Sequence, residues 1–514
     1  MVERLFVAFL RAAVLRSISW RGPKRLPMQP VVMPSETALK LQLEPGEYQC
    51  TWSLPKADGS FKDFPGVLSL ESGKPPEGSA HGDLPISWSE ENGSCKAGFP
   101  QVVERVTLRG HLINGYDVLL VDASVHYWFP ERAHLSARAA VVGLWLFSSK
   151  QNVDSFSGIK MQVTGLDVVA GVAPLKSFTF PAPNAVHLSG LWSAEGNPES
   201  SQEWTDASTT LRLEYDGSAR IGDPYSYGLA FSPVVLVRSD HQRSLEQWLD
   251  EWIDPIARLI TLATGRREET TYLALEMPSL PPFFHPGYAQ VFGSGLTQVP
   301  YESRQRDLME VRPALRLKAD GLSMLTLVNS WQRLREEHHP LVETYGAVLG
   351  AERQHPRARF LLLIQALEGL HGYETKPRYE RRVARHVEQR RAVLDAVLHT
   401  LDEEQQKFLK KNLSKRPASS LDDALRAQFT SLPLDLTHEL ATKRLIQDLR
   451  ADPRPHDGPV GTLRLIRNDL AHGRQGYDAL DLHEVDDVLE RVTRAHLLRI
   501  LGCPTAVVER ALST

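Results

Sequence analysis

MLTLVNSWQRLREEHHPLVETYGAVLG, residues 324–350, is where the chain changes character. It reads as one helix or two. RARFLLLIQALEGLHGYE, residues 357–374, follows with a broad apolar face and reads as a central helix. Helical patterns continue downstream through 377–401, 403–413, 420–429, 437–450, 460–473 and 483–502. Upstream the texture is different. Residues 39–54 alternate around a Pro45-Gly46 turn, and 102–112, 116–129, 139–147, 159–172, 211–217 and 228–237 are β-branched or aromatic runs bounded mostly by Gly, Pro, Asn and Asp. One helix interrupts the strands at 241–265, with Trp248 and Trp252 one turn apart on its apolar stripe and Gly265 as its stop. The tryptophans read as core. Residues 278–288 form a Pro-rich loop.

The fold class that follows is a multidomain α+β chain. A β-rich N-terminal domain, an antiparallel sandwich or barrel-like fold, is expected over residues 36–322. An all-α bundle is expected over 323–514, after a poorly ordered extension at 1–35. The basic, locally apolar start of that extension is broken by Arg11 and followed by Arg16 and Trp20. It reads as neither a signal peptide nor a membrane span, and a start at Met28 or Met33 is an alternative.

Of the 514 residues, 42% are hydrophobic and 24% charged, which excludes disorder over most of the length. A net charge of −4 gives no global field for nucleic acid, so any such contact must be local. Cys50, Cys95 and Cys503 contain no C-x-x-C pair, which excludes a zinc ribbon or redox dithiol and fits a reducing, cytoplasmic setting. There is no H-E-x-x-H, P-loop or G-x-S-x-G, and no cofactor or metal is expected.

The segment that carries chemistry is Arg467-Asn468-Asp469-Leu470-Ala471-His472-Gly473. Leu463, Ile466, Leu470 and Ala471 supply a helical apolar stripe, and Gly473 reads as a C-cap. His472 then lies in the last turn, where the backbone carbonyls favour a cation and an imidazole can pass a proton. Arg467 is five residues earlier, and both can border one cleft. The spacing alone is weak, because it recurs as Arg333/His338, Arg381/His386 and Arg491/His496. What distinguishes 467–473 is the Asn after the Arg, the apolar Leu470-Ala471 before the His and the Gly after it. A structural arginine and a surface histidine are the bland alternative.

R-N-x-x-x-H-G near the end of a helical bundle resembles the signature of HEPN ribonucleases. Residues 327–341 and 359–374 resemble the opening helices of the HEPN domain of ApeA-type proteins, and the β-rich part from about Leu39 onward resembles their N-terminal domain. The resemblance implies a HEPN helical bundle and metal-independent cleavage of RNA, in which the ribose 2′-OH attacks the adjacent phosphate. The products are a 2′,3′-cyclic phosphate and a 5′-OH end. It implies His472 as general acid/base, Arg467 as phosphate ligand and Asn468 as orienting group. It also implies a homodimer, or a higher homo-oligomer, that pairs two such motifs. The setting it implies is abortive infection against phage, with a phage-derived trigger acting on the N-terminal domain. The substrate would be tRNA or another structured RNA with an accessible loop. A non-catalytic HEPN scaffold that binds nucleic acid or protein is the competing reading.

Asp469 and Glu368 are candidate supports. Glu368 stands in an apolar run, where a carboxylate should be paired, and Arg467 is its candidate partner; a solvent-facing Glu368 is the alternative. His371 reads as packed, and the adjacent His338-His339 as the exposed end of a helix before Pro340. Residues 376–416 hold twelve basic and six acidic residues. Arg378, Arg381, Arg382 and Arg385 can share one helix face, and Lys410 and Lys411 add to the zone. It is a candidate RNA surface or an ordinary solvated face. His81, His111 and His126 leave open a separate ligand or hydrolase site in the β region.

Overall fold

The computed structural model describes residues 38–513 apart from 56–60, 83–86, 92–93, 99–101, 130, 145, 148–154, 180–192, 224–225, 278–286, 351–353, 418–419 and 455. The extension expected at 1–35 and most of the Pro-rich loop at 278–288 lie outside these residues.

Six strands close on themselves. They are β1 (Gly46–Pro55), β2 (Phe61–Leu70), β3 (Glu77–His81), β4 (Val102–Leu112), β5 (Asp117–Phe129) and β6 (Arg132–Ser136). Every neighbouring pair is antiparallel, in the order β5-β4-β1-β2-β3-β6, and β6 pairs back onto β5. Closure removes both sheet edges. Trp52 fills the interior with Leu54, Phe64, Leu68, Leu108 and Leu135, and its indole N–H donates to the Ser79 carbonyl at 3.2 Å. The ring fits because β2 and β4 carry glycines beside it. A Cβ on Gly66 would lie 1.9 Å from the Ser79 carbonyl oxygen and 2.7 Å from the indole, and one on Gly110 would lie 2.8 Å from the indole. The expected barrel-like antiparallel fold is therefore present.

The other side of β5 extends the same sheet outward. Its strands are β7 (Ala139–Gly143), β8 (Phe156–Val163), β9 (Gln202–Thr205), β10 (Thr209–Asp223), β11 (Ser226–Arg243), β12 (Thr270–Glu276) and β13 (Tyr288–Gly293), in the order β7-β13-β12-β8-β11-β10-β9. β12 is buried along its whole length, so its run of threonines and leucines shows no alternation. A helix covers this sheet. Ser244 and Gln247 form a capping box at its start, Leu249–Ile253 make a π turn, and α1 (Asp254–Thr264) ends at Gly265 with φ 73°. Trp248 and Trp252 are buried, ring centroids 6.3 Å apart, as core residues.

The remainder is helical: α2 (Met324–Glu336), α3 (Pro340–Gly350), α4 (Pro356–Val397), α5 (Glu403–Asn412), α6 (Leu421–Thr430), α7 (Thr437–Thr442), α8 (Arg444–Asp448), α9 (Gly458–His472), α10 (Ala479–Ile500) and α11 (Thr505–Ser513). Residues Thr37–Thr514 form one compact unit, and a single apolar core runs from Val141 on the sheet through Ile256 to Leu363, Leu463 and Leu489 in the helices.

Two local features differ from the sequence reading. α4 runs straight through Pro377, joining segments that read as separate helices. Proline removes one backbone donor there, and the orphaned carbonyl lies in an exposed stretch where water can satisfy it. The His338-His339 pair is also split. His338 turns out at φ 51°, whereas His339 is buried against Tyr373, ring centroids 4.5 Å apart.

Candidate functional site

α9 begins on Gly458 and Pro459 and buries Val460, Leu463, Ile466 and Leu470 against the core. Its last turn ends as the sequence pattern demands. Gly473 takes φ 64°, its N–H donates to the Leu470 carbonyl at 3.4 Å, and the Arg474 N–H donates to the Asp469 carbonyl at 2.9 Å.

The apolar stripe fixes which motif residues reach solvent. Arg467 and Asn468 are half-buried on the outer face, and His472 is exposed. One Arg467 guanidinium nitrogen donates to Asn468 Oδ1 at 3.1 Å, so these two form a unit. His472 stands one turn and a residue further on, beside them along the same helix end. A second guanidinium reaches this end from another helix: Arg357, in the first turn of α4, donates to the Leu470 carbonyl. Sequence reasoning missed Arg357. Its only signal was a basic residue next to a proline-started helix.

Asp469 turns the other way. It is buried, accepts from Arg454 Nη1 at 2.6 Å and from the Tyr477 hydroxyl at 2.7 Å, and Arg454 also grips Asp452 at 2.7 Å. The hydrogen bond from Arg454 holds the Asp469 carboxyl below the usual carboxylate range. Asp469 therefore ties the loop before α9 to the loop after it.

Glu368 is not the buried partner of Arg467. It is exposed on the outer face of α4 and borders a cavity with His371, Arg378 and Arg382. No ion pair joins it to Arg467 among the described residues. His371, read as packed, is half-buried at that cavity. Arg378, Arg381, Arg382 and Arg385 are all exposed on α4, and Lys410 and Lys411 are exposed in the last turn of α5.

The other arginine–histidine pairs of equal spacing fall elsewhere. His496 is sealed in the core, its Nε2 3.0 Å from the Gln428 carbonyl, and burial pushes its ring down to about 4. His386 Nε2 lies 2.9 Å from the Ser414 carbonyl. In the β region His111 pairs with Asp117 at 2.6 Å, His81 with the Ser79 hydroxyl at 3.1 Å, and His126 faces His134. No group of three His, Cys, Asp or Glu residues fit to hold a metal occurs among the described residues. None of the described helices is long and apolar enough to cross a membrane.

A family model, ApeA N-terminal domain 1, matches residues 47–268. Residues 47–268 therefore form an ApeA N-terminal domain. The matched ApeA domain takes in the whole barrel, the outer strands β7 to β11 and helix α1, and it stops before β12. That domain points to an anti-phage defence protein. No curated protein and no solved structure matches the chain.

Proposed function

We propose that this ApeA-domain protein is a metal-independent endoribonuclease of the HEPN type, with residues 323–514 as the nuclease part and 36–322 as its regulator. The observation that carries the reading is the sorting of one heptapeptide. Arg467, Asn468 and His472 face outward at a glycine-capped helix end, while Leu470 packs in the core and Asp469 is turned inward to brace the turn.

The chemistry follows from the groups. RNA supplies its own nucleophile. A neutral His472 imidazole takes the 2′-OH proton as that oxygen bonds to phosphorus, and a protonated one gives a proton to the departing 5′-oxygen. Each chain has one such histidine, so two copies facing each other supply both roles. The Arg467 guanidinium holds the phosphate and its growing charge in a bidentate grip, and Asn468 keeps that guanidinium in place. A phage-derived trigger on the ApeA domain would release the activity in the cytoplasm.

The test is digestion of tRNA and total RNA by the full chain in EDTA, with His472→Ala and Arg467→Ala alongside, and with phage lysate added as a source of trigger. Cleavage that leaves 2′,3′-cyclic phosphate ends and is lost in both variants is expected. RNA bound but left intact under every condition would overturn the proposal in favour of a non-catalytic scaffold.

A further inference from the structure

Away from the capped helix end, α4 carries a second polar face. Glu368, His371, Thr375, Arg378, Tyr379 and Arg382 recur every three or four residues, so they share one side of the helix. That side borders a cavity of about 440 Å³. Its other wall is the first turn of α6, where the Ser420 hydroxyl caps the Asp423 N–H at 3.2 Å and Leu421 and Ala424 add apolar surface. α6 is held against the motif helix by Arg464, which grips Asp422 through two contacts at 2.9 and 3.1 Å. The cavity wall is thus fixed on both sides.

The cavity is chemically polarised. Arg378 and Arg382 lie one turn apart at one end, a spacing that presents two guanidinium groups to one phosphate. Glu368 lies at the other end, about 15–21 Å away along the helix axis at 1.5 Å per residue. A carboxylate there accepts hydrogen bonds from hydroxyl or amino groups and repels a second anion. Beside the arginines stands the half-buried ring of Tyr379, a face on which a base can stack. A ligand that fits has an anionic group next to a planar ring, both at the arginine end.

We propose that this cavity is a nucleoside-phosphate site, with Arg378 and Arg382 on the phosphate and Tyr379 against the base. The ligand is a free nucleotide or one unit of an RNA strand. Arg378 lies about 30 Å along α4 from Arg357, the residue that reaches the His472 end. The arginine end of the cavity therefore lies away from the His472 end of α9, and the proposal stands whether or not Arg467 and His472 cleave RNA.

The test is isothermal titration of the full chain with each of the four ribonucleoside triphosphates, and of the His472→Ala chain with a short oligouridylate. Saturable binding is expected, weakened at least about tenfold by the Arg378→Ala/Arg382→Ala double change and several-fold by Tyr379→Leu. Thermal midpoints should be unchanged, because the arginines are exposed. Arg391→Ala/Lys407→Ala removes the same charge off this face and should leave affinity as it was. Binding of triphosphates assigns a free nucleotide and binding of the oligonucleotide alone assigns the RNA strand; either supports the site. Binding of neither probe, equal binding by the Arg378/Arg382 variant, or an equal loss in the Arg391/Lys407 control overturns it.

Discussion

Asp469 lies 2.6 Å from an Arg454 guanidinium nitrogen, buried inside a motif whose Arg467, Asn468 and His472 reach solvent. The pair joins the chain before α9 to its last turn, and the Tyr477 hydroxyl adds the chain after it. Asp469→Ala leaves Arg454 with Asp452 but removes the buried acceptor. A loss of about 1–3 kcal/mol is expected, less than for a fully buried pair because Arg454 is partly exposed. Urea unfolding measures it. The carboxyl is held below its ordinary range, so its contribution is present above the unfolded-state value and is lost as pH falls through the folded one. The gap between wild type and Asp469→Asn should therefore shrink at acid pH.

Gly473 separates conformation from contact. A Cβ there would meet nothing within 4 Å, but the residue holds φ 64°. Gly473→Ala should cost about 1 kcal/mol through backbone strain alone, and Gly473→Asn distinctly less. If the cap positions His472, RNA cleavage should fall more in the alanine variant than in the asparagine one. Equal activities would show that the capped end does not position the histidine.

What the sequence could show depended on range. The tryptophan stripe, the stops at Gly265 and Gly473 and the change from strands to helices are local patterns, and each stands in the structure. Barrel closure was not legible, because β3 pairs with β6 across some fifty residues and β5 serves both the barrel and the outer sheet. Of the two readings of Glu368, a buried partner of Arg467 or a solvent-facing carboxylate, the second stands. Gln365 and Glu368 are three residues apart and both exposed, so their helical spacing already placed them on the outer face. The Arg454–Asp469 pair joins a loop to a helix and leaves no periodic trace.

Arg494 on α10 is buried and donates twice to the Leu262 carbonyl, at 3.2 and 3.3 Å, at the C-terminal end of α1. A cation there meets the negative end of the helix dipole. Gly265 leaves room for it: a Cβ would sit 2.2 Å from Arg494 Nη1. Gly265→Ala should cost at least about 2 kcal/mol, from φ 73° together with the displaced guanidinium. Because this contact links the ApeA domain to a helix packed on α4, hydrogen exchange should quicken in both α1 and α10. Faster exchange in α1 alone would show that the two are not coupled there.

Asp486, also on α10, is fully buried, and neither carboxylate oxygen has a hydrogen-bond partner among the described residues. Burial pushes its carboxyl up to about 8, against the pull of Arg359. Below the unfolded-state value both states are protonated and the group costs nothing. As pH rises towards 8 the unfolded chain releases this proton while the folded one keeps it, so stability falls across that window and the penalty is constant above it. Asp486→Asn keeps the shape and removes the titration. It should unfold like wild type near pH 4 and be more stable at pH 8, by an amount on the order of a few kcal/mol at most. Denaturant midpoints taken at both pH values decide the matter, and a constant difference between the two proteins would show that Asp486 is ionised throughout.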